Sequence, residues 1–141
     1  MRWLVVAEGK LRQAPSRALC DDYLKRLRRY TRTEMIEVRG ADRLRAAVPA
    51  DARSVAVTPD GSGWSSAEVA RRLARWKLEG RDVAFVVGGA DGLPRSLVDE
   101  AEARWSLSPL TLPHELARVL VLEQLYRAES ILKGEPYHRG D

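Results

Sequence analysis

The sequence predicts an α/β fold in which a parallel sheet carries helices on both faces. Two observations lead there. Short apolar runs rich in β-branched residues, of which Val83-Ala84-Phe85-Val86-Val87 is the densest, alternate along the chain with stretches whose apolar residues recur at helical spacing. Two of the strand-like runs also end in special loops, Gly88-Gly89-Ala90-Asp91-Gly92 and Pro109-Leu110-Thr111-Leu112-Pro113. Strand ends of an open α/β sheet are where small molecules usually bind.

The elements follow in order. Arg2 to Ala7 reads as a first buried strand, left through Glu8-Gly9-Lys10. Ser16 is placed to cap a helix running to about Tyr30, with Leu19, Tyr23, Leu27 and Tyr30 as its apolar stripe and Lys25, Arg28, Arg29 and Arg32 as a basic, candidate phosphate-contacting side. Thr33 to Val38 is a second strand, and residues 41 to 48 suggest a short helix before Pro49. Ser54 to Thr58 is a third strand, ended by the turn signal Pro59-Asp60-Gly61-Ser62-Gly63. Ser65 and Glu68 have capping-box spacing, Val69, Leu73 and Trp76 give the next helix its apolar face, Arg71 and Arg75 point outward, and Gly80 stands where a terminating glycine belongs. After the strand at Val83, Pro94 opens a helix ending near Ala103. Trp105 to Ser108 is the last strand, and Pro113 begins a helix that runs to about Lys133 and stops at Gly134.

Apolar residues extend far round that last helix. Val121, Leu125, Ala128 and Leu132 share one side, while Val119, Leu122 and Tyr126 form a neighbouring one. A helix of this kind is buried from more than one direction, which predicts a second copy of the chain packed against it.

Composition sets the bounds. A chain of 141 residues with 45% hydrophobic residues suffices for one domain, residues 1–141, with a real core. No stretch has the apolar length of a membrane span, and the amino terminus turns polar too soon for a secretory signal, so a cytoplasmic protein is expected. Its one cysteine, Cys20, cannot form an internal disulfide and reads as a packing residue. The net charge of +4, mostly arginine, is compatible with a polyanionic partner and equally with a solvated surface.

Chemistry narrows the field by exclusion. The glycine loop is neither the fingerprint of a dinucleotide fold nor a Walker motif, and a tight turn would explain it without any ligand. His114, His138 and the one cysteine cannot build a standard zinc cluster, so no metal is expected. No Gly-x-Ser-x-Gly elbow is present, which argues against a serine hydrolase. The carboxyl-terminal Pro136-Tyr137-His138-Arg139 is less ordinary: an aromatic ring, an imidazole and a guanidinium together suit a tail folded over a ligand.

Several motifs together carry a resemblance. Phe85 to Leu93, Ser106-Leu107-Ser108-Pro109-Leu110-Thr111-Leu112-Pro113-His114, Arg118 with Glu123-Gln124-Leu125-Tyr126-Arg127-Ala128, Lys133 to Arg139, and the opening Val5 to Lys10 are similar to the ribosomal RNA large subunit methyltransferase H family. The likeness spans essentially the whole chain. It implies a SPOUT-class fold with a deep trefoil knot at the carboxyl end, a homodimer, S-adenosyl-L-methionine as methyl donor, and N3-methylpseudouridine in 23S rRNA of the assembled ribosome as product. By position it implies cofactor binding by Val57, Gly88, Leu107, Ser108, Pro109, Leu110, Thr111 and Leu112, and the other loop glycines, Gly89 and Gly92, are candidates beside them. Tyr137, His138 and Arg139 become the leading catalytic candidates, acting in their own subunit or across the dimer, and His114 and Arg118 follow. Val57 where leucine is common, Ala90-Asp91 inside the glycine loop, a short segment 40–53 and the extension Gly140-Asp141 depart from the family pattern. Two rivals stand beside this reading: an α/β enzyme with another nucleotide cofactor, and a non-catalytic RNA- or ribosome-binding factor of the same fold.

Overall fold

The computed structural model describes residues 1–139; the extension Gly140-Asp141 lies outside the described residues. Five strands, β1 (Trp3–Glu8), β2 (Thr33–Val38), β3 (Arg53–Gly63), β4 (Val83–Val87) and β5 (Ala103–Ser106), form an all-parallel sheet in the order β2-β1-β4-β3-β5. The helices are α1 (Ala14–Leu27), α2 (Leu44–Ala47, entered through a 3-10 turn at Ala41–Arg43), α3 (Ser66–Glu79), α4 (Arg95–Glu100) and α5 (His114–Lys133).

The central strands explain why their sequence shows no alternation. Trp3, Val5 and Ala7 of β1 stand beside Val83, Phe85 and Val87 of β4, and they face α1, α3 and α5. Leu4, Val6, Ala84 and Val86 point the other way, against Leu44 of α2 and Leu97 of α4. Both faces are covered, so every position must be apolar. Fully burying one such large side chain contributes roughly 1.5–3 kcal/mol.

The breadth of α5 has its cause inside the chain. The helix packs against α1 and α3 as well as against the sheet, and Val119, Val121, Leu122, Leu125 and Ala128 are all buried. The apolar surface that predicted a second copy is therefore used within one subunit. Leu132, read as part of that surface, is 41% exposed. One charged group lies deep among these helices. Glu129 accepts hydrogen bonds from Trp3 Nε1 (2.9 Å) and Thr31 Oγ1 (2.6 Å) and pairs with Lys77, tying β1, the α1–β2 turn, α3 and α5 together.

Some boundaries differ from expectation. α1 starts at Ala14 with Pro15 in its first turn, so Ser16 lies inside the helix rather than capping it, and the helix ends at Leu27. Its buried face is Cys20, Leu24 and Leu27, and Leu19 is exposed. β3 does not turn at Pro59. It continues to Gly63 with a register shift, Val57 and Ser62 both lying opposite Trp105. A Cβ on Gly61 would fall 2.6 Å from the backbone of Arg104 and Trp105, so glycine is what lets the excursion lie against β5. β5 sits two residues earlier than predicted, and α4 ends at Glu100. The Ser65 cap is as read: its hydroxyl accepts from Glu68 N at 3.1 Å, and Gly80 is left-handed at φ 75°.

Candidate active site

The carboxyl ends of β4 and β5 and the middle of β3 at Val57, Thr58 and Pro59 border one cavity of about 460 Å³. Val57, Gly88, Gly89, Gly92, Leu107, Ser108, Leu110, Thr111 and Leu112 line it, all of them expected there from the sequence. Pro109 does not. It is exposed at the outside of its loop. Thr58, Pro59, Asp91 and Ala117 line the cavity without having been expected. For the first two a signal existed, since parallel register puts this part of β3 beside the end of β4.

The glycine loop is held by its own backbone. Gly92 N donates to Gly89 O at 3.0 Å, and Gly92 has φ +76°, a conformation L side chains rarely adopt. A Cβ on Gly88 would lie 2.7 Å from Gly92 O and 2.8 Å from Leu93 N, so this position must be glycine for the loop to close. At Gly89 a Cβ would meet the Glu8 side chain instead, 3.0 Å from its Cδ. The second loop is shaped by hydroxyls. Ser108 Oγ accepts from Leu110 N at 2.9 Å, and Ser106 Oγ donates to Ser108 O at 3.2 Å.

The first turn of α5 forms one wall through His114 and Ala117. Its opposite side is bolted to the loop after β1. Glu115, buried, accepts from the backbone amides of Arg12 (3.1 Å) and Gln13 (3.2 Å). Burial pushes its carboxyl up, but those amides, with His114 and Arg118 nearby, outweigh burial and hold it below the usual carboxylate range. Arg118, 1% exposed, donates to Glu37 Oε2 (2.6 Å), Glu8 O (3.2 Å) and Gly9 O (3.1 Å). It is not a cavity residue. These bonds engage its two terminal nitrogens, while its buried Nε has no partner.

The tail does not reach this cavity in its own subunit. None of Tyr137, His138 and Arg139 lines it. Tyr137 folds back along α5 to its middle, where its ring packs edge-on against Tyr126 (4.6 Å) under the Arg127 guanidinium (5.0 Å). Its hydroxyl donates to Glu123 Oε2 at 2.9 Å and lies 3.1 Å from Tyr23 Oη. Burial above all, then these two partners, pushes its phenol well above the ordinary tyrosine value. Nine residues separate His114 at the cavity wall from Glu123 at the Tyr137 hydroxyl, roughly 14 Å along the helix at about 1.5 Å each.

Comparison with known proteins bears on what such a cavity serves. The model of the family described as "Predicted SPOUT methyltransferase" matches residues 1–138. The chain is 44% identical to the ribosomal RNA large subunit methyltransferase H of Sorangium cellulosum, over 97% of this chain and 99% of that one. It is 46% identical to the protein of the same name from Rubrobacter xylanophilus, over 97% and 98% of the two chains. The chain belongs to the ribosomal RNA large subunit methyltransferase H family.

Solved structures agree at the level of the fold. A probable methylase family protein from Haemophilus influenzae superposes with a TM-score of 0.55 at 13% identity, covering 99% of this chain and 70% of that one. A probable rRNA-methyltransferase from Porphyromonas gingivalis gives 0.56 at 12%, covering 93% and 69%. Within this sheet and its flanking helices, the described residues thus bring most of the cofactor candidates together and leave the tail candidates outside the cavity.

Proposed function

We propose that this chain methylates N3 of a pseudouridine in the 23S rRNA of assembled ribosomes, with S-adenosyl-L-methionine as methyl donor. The observation that carries this reading is near full-length identity of 44–46% to proteins named ribosomal RNA large subunit methyltransferase H.

The cavity fits the donor. Its volume is in the range of small-molecule sites, and its walls are aliphatic side chains, Val57, Leu107, Leu110 and Leu112, alternating with glycine backbone. Such a lining suits an adenine ring held between aliphatic groups by main-chain hydrogen bonds, with Gly88, Gly92 and Thr111 beside it. When bound, S-adenosyl-L-methionine supplies an electrophilic methyl group on a cationic sulfur. The residues of this chain then have two tasks, excluding water and dealing with the proton on N3. His138 takes that proton. Arg139 holds the negative charge that spreads onto the two flanking base carbonyls. Tyr137, its hydroxyl already engaged by Glu123 and Tyr23, anchors the tail rather than stacking on the base.

This mechanism needs two copies of the chain. With the tail held against the middle of α5 and none of it lining the cavity at the first turn of that helix, His138 and Arg139 serve the cavity of a second subunit in a homodimer. The carboxyl-terminal trefoil knot that the family resemblance implies belongs to the same reading, which also places the enzyme with ribosomes in the cytoplasm as a one-domain protein. Mass spectrometry of 23S rRNA from cells lacking the gene tests the function. The expected result is loss of one methyl group at a pseudouridine, restored by the purified protein with S-adenosyl-L-methionine. Unchanged rRNA would leave a non-catalytic ribosome-binding factor.

A further inference from the structure

The cations of this protein are not spread evenly in their pairing. Around α2, α3, α4 and the amino ends of β3 and β4 most are neutralised: Arg53 by Glu79 and Glu102, Arg71 and Arg72 by Glu68, Arg81 by Glu102, and Arg45 by Glu100, with Arg43 and Arg75 as scattered exposed exceptions. The exit of α1 differs. Lys25, Arg28, Arg29 and Arg32 are all exposed, and among the described residues none of the four makes an ion pair. No acidic residue occurs from Lys25 to Arg32, and of the two acids just before them, Asp22 is taken by Arg26 and Asp21 remains exposed.

Local structure concentrates these charges. After Leu27 the chain makes a tight turn closed by Arg29 N to Arg26 O (3.2 Å) and Tyr30 N to Leu27 O (2.9 Å), and Arg28 Nε donates to Thr33 O at 3.0 Å. The negative end of the helix dipole favours cations in the last turn, which accounts for Lys25 and Arg28. It does not extend to Arg32, five residues beyond Leu27. The exit is also joined to the tail. Tyr30 Oη donates to Glu135 Oε2 at 2.9 Å and the Tyr30 ring packs on Tyr126, so exposed Lys133 and the tail root lie alongside.

We propose that the exit of α1, Lys25, Arg28, Arg29 and Arg32, is the surface that grips rRNA phosphates beside the tail. The proposal rests on the methyltransferase reading and adds where the polyanion sits. Unpaired cations on a short turn contact phosphates without reading sequence, and the one aromatic ring here is already packed, which favours backbone contact over base stacking. Because the tail root is bonded to this turn, the same contacts hold the RNA next to His138 and Arg139.

The test compares Lys25→Gln/Arg29→Gln/Arg32→Gln, which spares the Arg28 bond to Thr33, with Arg71→Gln/Arg75→Gln/Arg95→Gln, an equal charge loss on α3 and α4. Binding to 70S ribosomes from cells lacking the gene is measured across salt concentrations. The first variant is expected to bind at least about tenfold more weakly near 0.1 M salt, with a salt slope shallower by roughly two. Its melting shift with S-adenosyl-L-methionine and its oligomeric mass should equal the parent's, and Arg32→Gln alone should give about a third of the slope change. Affinity within twofold of the parent, an equal loss in the α3/α4 variant, or dissociation of the oligomer in the first variant would each overturn the proposal. A parent that binds ribosomes yet transfers no methyl group overturns the methyltransferase reading instead, and leaves this surface standing.

Discussion

Gly88 and Gly89 are neighbours whose replacement should have unequal consequences. Gly88→Ala forces a Cβ against the backbone of Gly92 and Leu93, which cannot yield without opening the loop. Gly89→Ala meets the end of the Glu8 side chain, which can rotate away. Isothermal titration with S-adenosyl-L-methionine should show at least about tenfold weaker binding for Gly88→Ala, or ~1.4 kcal/mol, and a several-fold smaller loss for Gly89→Ala. Equal losses would mean the loop is not held as described. Glu129 offers a second contrast. Glu129→Ala leaves the Trp3 indole N–H and the Thr31 hydroxyl without their acceptor and Lys77 without its counter-charge, so urea unfolding should show a loss of about 3 kcal/mol. Little of this was legible beforehand. Glu129 reads in the sequence as one more polar residue on a long helix, because the three partners it serves are 52 to 126 residues away. The Cys20 reading does hold, with its thiol buried and pushed up to about 11 by that burial.

At the scale of elements, the join between α5 and the loop after β1 makes a prediction about pH. The Glu115 carboxyl is held below its ordinary value of about 4.3 in the folded state, so its contribution is fully present above that value and is lost as pH falls through the folded one. Glu115→Gln should therefore melt below the parent at pH 7, and the gap should narrow as the pH drops beneath about 4. A gap that widens in acid would refute the clamp. Elements whose signals are local were the legible ones: the Ser65 cap, the Gly80 stop and the buried run of β4 all stand where the residues put them. Those set by tertiary contact were not. β3 runs through Pro59-Asp60-Gly61, a strong turn signal, because β5 lies against it and Gly61 permits the approach. Leu19 fits a helical stripe, yet rotating the face toward Cys20, Leu24 and Leu27 buries the helix better against β1 and α5.

For the whole molecule, the separation of tail and cavity decides how activity must be shared. If His138 and Arg139 act on the cavity of a second subunit rather than their own, then a variant with a ruined cavity still carries a working tail, and a variant without the tail still carries a working cavity. With donor held well below the weakened Kd of the cavity variant, each alone should be nearly inactive. Co-refolded at equal amounts, random pairing puts about half of the chains into mixed dimers, each with one site that has both parts, so roughly a quarter of the parent's methylation per site should return. Gly88→Ala and a chain ended at Pro136 are the natural pair, with methyl incorporation into ribosomes as the readout. A tail that folded back onto its own cavity would give no recovery, because neither chain then holds both parts. The outcome also fixes what Tyr137 does. In the proposed dimer its bonds to Tyr23 and Glu123 would set the angle at which the last residues leave one subunit for the other, so Tyr137→Phe should lower turnover several-fold while leaving donor affinity within about twofold of the parent. A matching fall in donor affinity would put Tyr137 at the donor instead, and the anchoring role would be withdrawn.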